Sequence, residues 1–88
     1  MKNYPSLDNR TIGELNAEVF SARMKFPGNS FLLTALMEEV GELARAYLHG
    51  DGHMRVKAEA LQVATVALRI YEESDPVYEA MTKEQQKA

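Results

Sequence analysis

Eighty-eight residues make one small domain with a modest core. A net charge of −3 and a pI near 5.3 leave no electrostatic footprint for nucleic-acid binding. Cysteine is absent, which excludes a disulfide framework and thiolate metal sites, so any metal must be held by oxygen or imidazole. No apolar run approaches the ~20 residues of a membrane span. The polar stretch Met1–Arg10, with Pro5, does not read as a signal peptide, so the expected location is the cytoplasm.

Residues 1–10 read as an irregular lead-in. Thr11 with Glu14 three residues later fits a capping box, and Ile12, Leu15, Val19, Ala22 and Phe26 then step by three and four. A first helix is predicted over 11–26, broken by Pro27-Gly28-Asn29. A second is predicted over 30–49, capped by Asn29 or Ser30. Its apolar residues, from Leu33 through Met37 and Val40 to Leu48, keep helical spacing. On such a helix Glu38 and Glu42 stack, and Glu39 lies about 60° from Glu42, so three acids share one rim. Taken alone, that rim is explained by a solvated acidic face closed by a Glu42–Arg45 pair.

Gly50 is placed to end the second helix in a left-handed conformation. His49 and His53 flank a glycine-rich loop without a ligand spacing known for metals, and read as exposed loop residues. The third helix is predicted over 55–73. Val56, Ala60, Val63, Ala64, Ala67 and Ile70 make one side, and Leu61, Leu68 and Tyr71 extend it. A helix so apolar should be buried on several sides. A short helix over 76–87, with Pro76 in its first turn, completes the chain. No run alternates with period two, so the chain is read as all-α: a single helical domain, 1–88. Its apolar surface exceeds what three helices can hide, which predicts a bundle completed by homodimerisation.

Between Ala58 and Tyr71 only Glu59, Gln62, Thr65 and Arg69 are polar. A buried carboxylate without a partner is costly and needs a cation, a hydrogen-bond network or a metal. Glu59 and Gln62 are three apart, as are Glu39 and Glu42 on the preceding helix. Antiparallel packing of these two helices can bring the pairs face to face. The resulting all-oxygen cluster would suit Mg²⁺ or Mn²⁺ rather than zinc.

The stretch Met37–Leu48, MEEVGELARAYL, followed by AEALQVATVALRIYEE, resembles the MazG-like, all-α nucleoside triphosphate pyrophosphohydrolases. The family pattern is E-E-x-x-E on one helix and E-x-x-D on the next. Here it reads Glu38-Glu39-Val40-Gly41-Glu42, then Glu59-Ala60-Leu61-Gln62, with glutamine where the pattern has aspartate. The resemblance spans roughly residues 12–73. It implies a metal-dependent hydrolase that releases a nucleoside monophosphate and pyrophosphate. Glu39, Glu42, Glu59 and Gln62 would then hold Mg²⁺ or Mn²⁺, and Glu38 would be an auxiliary acid. Arg23, Lys25 and Arg69 would be candidates for the triphosphate, with Asn16 and Phe20 beside the base, although core packing is the readier role for Phe20. Glutamine offers one carbonyl oxygen and no charge. The alternative is therefore a non-catalytic dimeric module that binds a nucleotide or a protein.

Overall fold

A computed structural model describes residues 5–76 and Ala80. It contains α1 (Asn9–Lys25), α2 (Leu32–Leu48) and α3 (His53–Glu73), and no strand among the described residues. Helix α3 is the shared element: α2 makes the more extensive contact with it, α1 the lesser, and α1 and α2 barely meet. No helix among the described residues is long and apolar enough to cross a membrane. The short helix expected over 76–87 lies largely outside the described residues.

The helix ends differ from those predicted, for reasons visible in their caps. Helix α1 starts two residues before Thr11 because Asp8 is the cap, accepting from Thr11 N at 2.7 Å, and Glu14 pairs with Arg10 at 3.2 Å instead. Helix α2 starts at Leu32, after Phe31 in a left-handed conformation (φ 64°) with no side-chain cap of its own. Neither Asn29 nor Ser30 caps it. The buried Asp75, beyond the far end of α3, accepts from Leu33 N at 3.0 Å and satisfies one of the orphan donors. Asn29 donates in the other direction, to the Glu73 carbonyl at 2.6 Å. The α1–α2 connection and the end of α3 thus cap each other.

The other end of α2 follows the sequence reading. Gly50 takes φ 68°, its N–H donates to Tyr47 O at 3.2 Å, and Asp51 N donates to Ala46 O at 3.1 Å. These are the two bonds of a Schellman stop, in which a left-handed residue favours glycine. Helix α3 then begins at His53, two residues earlier than predicted, after Gly52 with φ 95°.

The largest departure concerns what α3 buries. Its buried residues are Glu59, Thr65 and Arg69, whereas Ala60, Ala67, Leu68 and Tyr71 are exposed. The hydrophobic core among the described residues is only Val19, Leu32 and Ala46. Polar groups inside a bundle must be partnered, and all three of these are, Glu59 by Arg55 one turn earlier on the helix. Thr65 Oγ1 donates back to Leu61 O at 2.8 Å. Arg69 donates to Glu73 through both Nε and Nη2, and also to the Phe26 and Gly28 carbonyls, the latter at 2.7 Å. Arg23 of α1 reaches the same Glu73 at 2.7 Å. Glu73 therefore ties α1 and α3 together and, through Arg69, the α1–α2 connection as well.

Candidate metal centre

Helix α2 turns its Leu32, Ala35, Leu36, Glu39, Leu43 and Ala46 positions inward, at steps of three and four, and all are at least partly buried. Glu39 is thereby carried into the α2–α3 seam by the stripe that packs the helix. On α3 the same phase brings in Val56, Glu59, Val63, Val66 and Arg69. Glu39, Glu42 and Glu59 converge so that each offers an oxygen within 4.8 Å of the others.

The electrostatics of the cluster are unbalanced. Glu39 is pushed above the usual carboxylate range, first by burial and then by the charges of Glu42, Glu59 and Glu38. Its Oε2 is buried and receives no hydrogen bond from the described residues. Glu59 is buried and paired with Arg55 at 2.9 Å, but Arg55 sits at the exposed start of α3. A divalent cation fits this donor set. All the donors are hard oxygens, the spacing is within about an ångström of closing on one ion with Mg²⁺–O distances near 2.1 Å, and the buried oxygen lacks a donor that an ion would replace. His49 and His53 are exposed and do not join the acids.

Beside the cluster lies a cavity of about 360 Å³, between the α1–α2 connection and the α2–α3 seam. Phe26, Phe31 and Val66 are among its apolar lining, and Glu38, Glu39 and Gln62 line its polar side. Phe31 borders it in the left-handed conformation that bulky residues rarely adopt, a strain of the kind that clusters at ligand sites.

No protein-family model matches the chain, and no curated protein or solved structure matches it either.

The structure disperses the remaining residues named from the sequence. Gln62 lines the cavity with the acids, but its Nε2 donates to Glu18 of α1 at 3.0 Å. Arg23 and Arg69 are held by acids of the fold: Arg23 by Glu72 and Glu73, which raise its pKa, and Arg69 by Glu73 within the interior. Lys25 lies exposed in the last turn of α1. Asn16 lines a separate groove of about 310 Å³ between α1 and α3, shared with Leu7, Ile12 and Leu68. Phe20 is exposed rather than packed in the core. Two residues near the acids went unread in the sequence. Arg55 had a local signal, since it precedes Glu59 by one turn of helix. Glu18 had none, because its partner is 44 residues away.

Proposed function

We propose that the chain is a metal-dependent nucleoside triphosphate pyrophosphohydrolase of the MazG-like, all-α type. It would add water across the bond between the α- and β-phosphates and release a nucleoside monophosphate and pyrophosphate. The observation that carries this reading is the convergence of Glu39, Glu42 and Glu59 around a buried oxygen with no donor. Mg²⁺ or Mn²⁺ bound by these acids would supply positive charge to the phosphoryl oxygens and to the attacking water. The chain's own groups divide the remaining work. Glu39, Glu42 and Glu59 hold the ion, and the Gln62 carbonyl oxygen adds a neutral ligand. Glu38, exposed on the cavity wall, orients the attacking water through its carboxylate. Arg55, already at the cluster through Glu59, would exchange that ion pair for a phosphate oxygen. The apolar wall formed by Phe26, Phe31 and Val66 would receive the base and exclude water from it.

The decisive test is pyrophosphate release from a panel of canonical and modified nucleoside triphosphates, with Mg²⁺ and Mn²⁺. The reading expects metal-dependent release from at least one triphosphate, lost in Glu59→Ala. No release from any of them would leave the second reading, a dimeric binding module without turnover. That reading is favoured by the Gln62–Glu18 contact, which places an engaged amide where the resemblance has an aspartate. Under either reading the metal binds the folded state, so millimolar Mn²⁺ should raise the melting temperature. The stabilisation is about 2.7 kcal/mol at a hundred times the Kd.

Both readings include a homodimer. Leu33, Met37, Val40, Tyr47 and Leu48 of α2, with Leu68 and Tyr71 of α3, are exposed, against three buried hydrophobic residues among those described. At ~25 cal/mol per Å² of apolar surface, covering them would contribute more than so small a core does. Light scattering at micromolar concentration should give twice the chain mass, and a stable folded monomer would remove the dimer from the proposal.

A further inference from the structure

Gln62 lies one turn of α3 beyond Glu59 and shares a cavity wall with Glu38 and Glu39. Its Nε2 donates to Glu18 Oε2 at 3.0 Å. An ionised carboxylate only accepts, so this contact decides which way round the amide lies: NH₂ toward α1, carbonyl oxygen on the opposite branch. The choice matters because there are competing acceptors. Glu39 carries a buried oxygen with no donor, and Glu42 and Glu59 lie against it. With no acceptor on α1, the amide would gain by turning its NH₂ toward these acids, and would then present hydrogens where a cation needs a lone pair.

We infer that Glu18 is a positioning residue of the metal centre: it draws the Gln62 NH₂ onto α1 and so leaves the carbonyl oxygen as a neutral ligand for the divalent cation. Glu18 also keeps a carboxylate one hydrogen bond away from position 62. The inference rests on the metal-dependent reading of the acid cluster. It makes α1 part of the site, although no α1 side chain joins the converging acids.

The test is Mn²⁺ binding to the full chain without nucleotide, by titration calorimetry, at one protein concentration. Glu18→Leu should weaken the Kd by about tenfold, the usual scale for removing a residue that orients a ligand. Gln62→Leu should weaken it to a similar degree, and the double variant should be no weaker than Gln62→Leu alone, because Glu18 acts only through the amide. Glu18→Gln can still accept from the Gln62 NH₂ and should stay within about threefold of wild type. Glu14→Leu makes the same charge change one turn earlier on α1, at a residue paired with Arg10, and should leave binding unchanged. Melting curves in EDTA check that each variant is folded, and Glu18→Ala replaces Glu18→Leu if the larger side chain disturbs the α1–α3 contact. Wild-type affinity in Glu18→Leu or Glu18→Ala overturns the inference and leaves the metal centre standing, as does a double variant whose losses add. A wild-type chain that takes up no Mn²⁺ overturns the metal centre, and the inference with it.

Discussion

Glu39 and Glu73 are both carboxylates held between helices, and their surroundings push them in opposite directions. Glu73 receives hydrogen bonds from Arg69 and Arg23, which outweigh its desolvation and lower its pKa to about 2. Among the described residues Glu39 has no cation of its own and an oxygen with no donor, and three other acids raise its pKa on top of burial. The first is a structural carboxylate, complete within the chain: it joins α1 to α3 through Arg23 and, through Arg69, holds the Phe26 and Gly28 carbonyls. The second is incomplete among the described residues, and on the proposed reading a divalent cation would supply the partner that offsets its desolvation. Charge burial therefore says little about role. Whether the partner is supplied by the same chain separates a clamp from a binding site.

The largest effect should come from breaking the complete region. Arg69→Met removes four hydrogen bonds to Glu73 and to two loop carbonyls, from a side chain with 4% exposure. Glu73 keeps Arg23, so the expected loss is about 3 kcal/mol, the low end for breaking a buried pair. Arg69→Lys retains the charge without the planar fork and should lose about half as much. Urea unfolding at fixed protein concentration measures both. A Met variant within about 0.5 kcal/mol of wild type would mean that the network is an exposed ion pair in solution.

The same contrast governs what can be read from the sequence. The all-α class is legible because helical periodicity is local and long. The grouping of Glu39, Glu42 and Glu59 is legible because antiparallel packing of successive helices can bring the Glu39/Glu42 and Glu59/Gln62 pairs, each three apart, to one seam. The left-handed stop at Gly50 is likewise a local rule. The complete region is not legible. Asp75 caps α2 from 42 residues away, and Arg23 meets Glu73 across 50. Arg69 reads as a spare cation on an apolar helix until the fold shows the carbonyls it holds. The Glu18 contact fails to announce itself for the same reason. Hydrophobic phase also misleads on α3: Leu68 and Tyr71 belong to its apolar pattern yet stay exposed, while Glu59 and Arg69 go inside.

Acid titration should separate the two regions by sign. For Glu73 the folded pKa, about 2, lies below its ordinary value of 4.5. Its contribution, about 3 kcal/mol, is present above pH 4.5 and lost as the pH falls from there toward 2. Glu39 is shifted the other way. Its cost to the metal-free fold is largest when it is ionised and is relieved as the pH falls through its raised folded pKa, above 4.5. Metal-free stability should therefore rise slightly on mild acidification before it collapses below pH 4.5. Glu73→Gln should remove most of the collapse, and the slight rise should disappear in Glu39→Gln. A monotonic decline from neutral pH in the metal-free wild type would contradict the assignment of Glu39.

The smallest expected effect is the most specific, because its sign is unusual. Most substitutions at partly buried positions destabilise. Glu39→Gln should do the reverse in EDTA. It keeps the shape of the side chain, removes a charge repelled by Glu38, Glu42 and Glu59, and supplies an NH₂ that can donate to those acids. A gain of about 1 kcal/mol follows, or about 4–8 °C in melting temperature for a domain of this size. The same variant should lose most of the stabilisation by Mn²⁺, since it removes the charge of one of the three acids proposed to hold the ion. The two measurements have to move together: stability rises without metal and the response to metal falls. A variant less stable than wild type in EDTA would show that the Glu39 charge is already held by a donor in solution. The cluster would then be a second complete region, a solvated acidic rim of the ordinary kind, and the contrast with Glu73 would dissolve.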